Sequence, residues 1–147
     1  MSLTSITSFQ NTLQVTHEWL NELNGQLGRD DSQQAYRILR AVLMALRDRL
    51  TVEEATDFGA QLPMLVRGFY YEGWNPSKNP SGERNRETFL KRVAENLAPV
   101  DGDPEQITRA VFRVVQNRVT AGEVKDIRSN LPTDVKSLWP HDGQSTE

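Results

Sequence analysis

The side chains best placed to do chemistry are carboxylates at helical spacing. Glu53 and Asp57 stand four residues apart, Glu54 and Asp57 three apart, and Glu123 and Asp126 repeat the second spacing. On one helix face such pairs can act as acid and base or hold a hard cation. Each pair, however, follows a threonine, Thr51 or Thr120, that opens a helix. In a first turn the helix dipole favours negative charge, and a glutamate three residues after the threonine completes a capping box. Capping is therefore the expected role of these carboxylates, and neither a catalytic nor a metal site is assigned to them.

Other chemistry fares no better. His17 and His141 are isolated, and the chain has no cysteine, which excludes disulfides and thiolate metal sites. Asp101, Asp103 and Glu105 open like a calcium loop, but Gln106 stands where the loop needs glycine and Phe112 where it needs glutamate. No glycine-rich phosphate loop and no nucleophile elbow is present. The chain is expected not to be an enzyme and to need no cofactor or metal.

Two sets of arginines invite an anion or an acidic partner: Arg37, Arg40 and Arg47, and their counterparts Arg109, Arg113 and Arg118. A simpler reading is that Arg49 and Arg118 end helices whose C-terminal dipoles favour a cation, with Asp57 and Asp126 as partners across the corner. The stretch 51–68 also has the spacing of a helix-turn-helix. Its second helix, from Pro63 to Tyr71, carries one cation, Arg67, and is otherwise mostly apolar, so it lacks donors for base edges and cations for phosphates. A formal charge of -3 at pH 7 adds no footprint for a polyanion, and nucleic acid is not an expected partner.

The segment least explained by folding runs from Phe69 to Trp74 into Asn75 and Pro76. Phe69 and Tyr70 align with Leu138 and Trp139, whereas Tyr71 and Trp74 face Pro140 and Gly143 in the same alignment. Amphipathic aromatics at a helix end suit an interaction surface. Tyr71 and Trp74 are accordingly the expected anchors for a protein partner, with Lys78, Arg84 and Arg86 as a charged rim. The competing reading has the two aromatics sealing a seam between halves.

That alignment rests on an internal repeat. The stretch from Leu46 to Pro63 returns from Val115 to Pro132, with Arg49/Arg118, Thr51/Thr120, Glu54/Glu123, Asp57/Asp126, Leu62/Leu131 and Pro63/Pro132 identical. Such periodicity means one supersecondary unit laid down twice. Apolar residues recur at helical spacing and nothing alternates like a strand. Leu13, Thr16, Trp19, Leu20, Leu23 and Leu27 form one stripe, and Ala35, Ile38, Leu39, Val42, Leu43 and Leu46 a second. Phe89, Leu90, Val93 and Leu97 answer the first, and Ile107, Ala110, Val111, Val114 and Val115 the second. The expected fold is all-α: two tandem four-helix repeats, 8–72 and 84–140, packed as one pseudo-twofold helical bundle. A Gly-, Pro- and Asn-rich linker over 73–83 joins them, and 1–7 and 141–147 are expected to be flexible ends. At 147 residues the chain suffices for one domain, whereas half of it would be marginal alone.

The longest apolar run, Ala41 to Leu46, is too short for a membrane, and the first 28 residues hold no Lys or Arg to start a signal peptide. A cytoplasmic, soluble protein is expected. The run from Leu46 to Trp74, with its Arg-Asp-Arg-Leu, Gln-Leu-Pro and Tyr-Tyr-Glu-Gly-Trp segments, resembles the bacterial family known as domain of unknown function 2267. The likeness extends from about Leu13, through Trp19-Leu20, to Leu131-Pro132 and Leu138-Trp139. It implies an all-helical bacterial protein and carries over no catalytic or binding residue. The expected function is a non-enzymatic module acting by protein–protein interaction, with self-association open. The alternative is a sensor of a small anionic ligand, its pocket between the repeats lined by Trp19, Tyr36 or Tyr70 and an arginine of the second helix.

Overall fold

The computed structural model describes residues 5–140, and within them every regular element is helical. In chain order they are α1 (Thr7–Leu27), α2 (Ser32–Arg49), α3 (Val52–Ala60), α4 (Met64–Tyr71), α5 (Arg86–Leu97), α6 (Pro104–Arg118), α7 (Ala121–Ser129) and α8 (Thr133–Lys136). The expected all-α fold is present. The linker holds one short 3-10 turn, Pro76–Lys78, capped by Asn75, where irregular chain alone was expected.

Side-chain caps set most helix starts, because each supplies an acceptor for an amide that has no partner within the helix. Asp31 accepts from the Gln34 amide at 3.1 Å, Thr51 from Glu54 at 3.1 Å, Asn85 from Thr88 at 2.9 Å, Asp103 from Glu105 at 3.0 Å and Thr120 from Glu123 at 3.3 Å. α1 ends on Gly28, whose left-handed φ of 66° turns its amide back to the Asn24 carbonyl.

The long helices α1, α2, α5 and α6 form the centre: α1 packs on α2 and α6, and α2 packs on α5 and α6. Their apolar stripes meet in one core, to which Trp19, Leu43, Phe89 and Phe112 contribute fully buried side chains. Each such residue contributes about 1.5–3 kcal/mol by leaving water. α4 lies on α1 and α2, α3 packs on α4 and α7, and α8 lies on α5. Trp139 stacks on Phe112, with ring centroids 4.1 Å apart and planes 14° apart.

Two details depart from expectation. Leu13, placed in the first core stripe, is 46% exposed, because α1 extends past the helices that cover its later turns. Arg49 and Arg118 turn to partners other than Asp57 and Asp126. Arg49 donates to the Glu83 carbonyl at 2.6 Å, and Arg118 pairs with Glu22 at 2.7 Å and Glu18 at 3.8 Å, fastening α6 to α1.

Candidate interaction surface

The aromatic corner is built on a buried arginine. Arg47, in the last turn of α2, donates to the carbonyls of Tyr70 at 2.8 Å and Glu72 at 3.0 Å and to Asp48 at 2.8 Å. A cation there satisfies carbonyls that the end of α4 leaves bare. Tyr70 is buried and donates to the Ala55 carbonyl at 2.6 Å. Tyr71, next in sequence, is half-buried, and its ring lies so close to Gly59 that any Cβ there would force it to shift. It stacks on Trp74 with centroids 5.5 Å apart. Trp74, also half-buried, donates from Nε1 to Asn79 Oδ1 at 2.9 Å, while the Asn79 amide donates to the carbonyls of Arg47 and Leu50 at 2.7 and 2.9 Å.

Tyr71 and Trp74 are therefore neither free-standing nor sealed away. Their hydrogen bonds reach Thr56 and Asn79, so the corner fixes the start of the linker against α2 and α3. Lys78 and Arg84 are exposed, as a rim requires. Arg84 also adds its charge beside Arg49, whose pKa is lowered first by burial and then by that charge, with Glu83 opposing. Arg86 departs from expectation. Rather than standing free in a rim, it opens α5, and its guanidinium donates to Ser137 Oγ and lies 3.7 Å from Glu105, holding α5 to the end of α8 and to α6.

A second surface was not singled out from the sequence. Phe9 and Leu13 on α1 and Met64 and Leu65 on α4 are large apolar side chains left exposed. The two helices are tied where the Leu65 amide donates to Thr12 Oγ1 at 2.9 Å. Alongside lies a groove of about 580 Å³ lined by Thr16 and Leu20 of α1, Ser32, Gln33 and Tyr36 of α2, and Leu65, Gly68 and Phe69 of α4, with Glu72 beyond. Tyr36 and Phe69 meet edge to face at 5.2 Å. A Cβ at Gly68 would meet no atom within 4 Å, so the helix presents bare backbone to the groove. The usable signal was α4 itself: in Met-Leu-Val-Arg-Gly-Phe-Tyr-Tyr the apolar residues cover more faces than one core contact can bury. Of the residues expected to line a pocket, Tyr36 borders this groove, while Trp19 and Tyr70 are in the core.

The carboxylates draw together in a way their spacing did not announce. Thr51 and Thr120 cap as expected, but the reciprocal half of each capping box is not formed: no hydrogen bond runs from the threonine amide to the Glu54 or Glu123 carboxylate, and Oε2 of each glutamate is shut off from solvent without a hydrogen-bond partner. Burial, then the charges of Glu54, Asp57 and Asp126, push the Glu123 carboxyl up to about 7. Glu54 is also pushed up, by burial first and then by Asp126, Asp57 and Glu53. Among the described residues, no group of three or more His, Asp or Glu side chains is arranged to hold a metal ion, and no helix is long and apolar enough to cross a membrane.

Residues 16–138 match the model of a family described as Uncharacterized conserved protein (DUF2267), and the chain belongs to that family. No curated protein matches the sequence.

Proposed function

We propose, from membership of the DUF2267 family as premise, that this protein is a non-enzymatic cytoplasmic module that binds an amphipathic helix of another protein. The observation that carries the reading is the exposure of Phe9 and Leu13 on α1 and of Met64 and Leu65 on α4, with Leu65 also lining the groove formed by α1, α2 and α4. Clustered apolar side chains facing solvent mark interaction sites, and a groove between two helices suits a third helix that inserts its apolar face. The reach from Phe9 to Leu20 is about three turns of helix, or roughly 16 Å, a common span for such a contact. Gly68 lets the incoming backbone approach closely. Tyr71 and Trp74, with Lys78 and Arg84, form a flanking contact, and Arg86 serves the framework.

The two four-helix units are read as copies related by a pseudo-twofold axis. Support comes from the exchange of partners: α1 packs on α6 as α5 packs on α2, while α2 meets α6 and α3 meets α7. The small-ligand alternative has Tyr36 at the groove in its favour. Its support is thinner, because the acidic Glu72 lines that groove and Arg47 is committed to carbonyl groups.

The test is photocrosslinking in the native bacterium from a benzophenone side chain at Leu13 or Leu65, with the crosslinked peptide sequenced. A partner segment with apolar residues at helical spacing, captured from both positions and lost when Gly68 is replaced by leucine in a protein that still melts cooperatively, is the expected result. Crosslinks to no protein, or capture unaffected by that replacement, would overturn the reading.

A further inference from the structure

α1 is longer than its counterpart in the second half. With Thr51 aligned to Thr120, Thr16 falls opposite Asn85, the cap of α5, so the turns of α1 before Thr16 have no equivalent there. Phe9 and Leu13 belong to this added stretch and are 37% and 46% exposed. Helix geometry carries them toward the groove: Phe9 stands one heptad before Thr16 and Leu13 one heptad before Leu20, and Thr16 and Leu20 are the α1 residues that line it. Phe9, Leu13, Thr16 and Leu20 are thus four, three and four residues apart, the spacing of a coiled-coil seam, and they flank the Trp19 and Leu23 stripe that faces the core.

The two ends of this seam complement each other. Phe9 and Leu13 are exposed, whereas Thr16 is buried and Leu20 half-buried beside the groove. A second α1 laid antiparallel brings Phe9 of one copy against Leu20 of the other and Leu13 against Thr16, and the twofold axis repeats both contacts. Projecting side chains then meet recessed ones at each level, where a parallel arrangement would set Phe9 on Phe9. Met64 and Leu65, tied to α1 through Thr12, flank the seam, and Gly68 leaves room for an approaching backbone.

Charge is arranged for the same contact. Of the whole chain 25% is charged, yet from Thr7 to Thr16 not one residue is. On α4 the one charged residue, Arg67, is turned to the carbonyls of Gly59 and Leu62. Glu72, the charged residue that borders the groove, is paired with Arg40 at 2.9 Å. About a twofold axis a patch meets its own copy, so charge at its centre would meet its like, and a charge-free face suits a second copy. We propose that two copies of this chain associate through α1, packed antiparallel across a twofold axis, with Phe9 and Leu13 of each entering the α1–α4 groove of the other. The inference rests on the reading of that groove as a seat for a helix and names its first occupant, which a helix of another protein would have to displace.

Sedimentation equilibrium of the full chain at micromolar concentration tests the association, and introduced cysteines test its register, since the chain has none of its own. The wild type is expected to be a dimer. Leu13→Glu, at an exposed position, should weaken the dimer more than about thirtyfold while melting as the wild type does. Phe9→Cys mixed with Leu20→Cys should form a disulfide-linked dimer on oxidation. Phe9→Cys alone should not, because antiparallel packing holds the two copies of that position about 16 Å apart, past the reach of about 7 Å that a disulfide allows. A wild type that stays monomeric, a dimer indifferent to Leu13→Glu, or Phe9→Cys linking to itself as readily as to Leu20→Cys would each overturn the proposal. None of these results bears on photocrosslinking of another protein from Leu65, so the broader helix-binding reading stands or falls separately.

Discussion

Arg47 on α2 and the backbone of Tyr70 on α4 are joined by a buried hydrogen bond of 2.8 Å between a guanidinium and a carbonyl oxygen. The same guanidinium reaches the Glu72 carbonyl, so one side chain closes the end of α4 and locks it to the end of α2. The aromatic corner rests on that bond.

Replacing Arg47 with methionine keeps most of the apolar stem and leaves two carbonyls without a donor. The expected loss of stability is about 3 kcal/mol, since bonds to a charged donor are worth more than neutral ones and buried acceptors left bare are costly. A lower urea midpoint with an unchanged denaturant slope would establish it.

Gly59 and Gly68 should respond oppositely to alanine. At Gly59 the new methyl group collides with the Tyr71 ring, and overpacking should cost about 1–3 kcal/mol. At Gly68 the methyl meets nothing, and the gain in helix propensity should stabilise the fold by about 0.5–1 kcal/mol. Melting temperatures of the two variants moving the same way would contradict this packing.

Asn79→Ala removes the acceptor of the Trp74 indole and both donors to the end of α2. Stability should fall by about 1–3 kcal/mol. Trp19 and Trp139 are buried and Trp74 is not, so the fluorescence change should come from Trp74, as a red shift absent from an Asn79→Ala/Trp74→Phe protein.

Stability should depend on pH through Glu123. Its folded-state pKa of about 7 lies above the ordinary 4.5, so the folded chain holds this proton more tightly than the unfolded chain. The contribution is complete below about pH 4.5, declines as pH rises toward about 7, and is spent above that. Solvent screens a group exposed to this degree, which holds the effect to about 1 kcal/mol. Subtracting the pH profile of Glu123→Gln from that of the wild type, by urea midpoint, should isolate a decline in this window.

Local rules made much of this fold legible. Asp31, Thr51, Asp103 and Thr120 cap where their side chains and the following residues place them, because capping involves only a few consecutive residues. What escaped depends on distant chain. Leu13 has the spacing of a core residue, and only the reach of the covering helices decides that it stays wet. Arg86 looked like a solvated rim charge, yet the end of α8 brings Ser137 to it. Within each helix, Glu54 and Glu123 read correctly as first-turn acids, but their joint environment exists only once α3 lies on α7. Tyr71 and Trp74 were legible as unusual and not as half-buried, since Gly59 and Asn79, which settle their exposure, belong to other segments.

The segment between the halves has the composition of a tether, and its bonds give it another character. Asn79 is held to the end of α2, the Ser81 amide donates to the Asp48 carbonyl at 2.8 Å, and Glu83 takes Arg49 through its carbonyl and Arg92 through its carboxylate. Two molecules exchanging their halves would have to straighten this segment and surrender each of those attachments. The crossover is thus a barrier to domain swapping, and it favours each chain closing on itself.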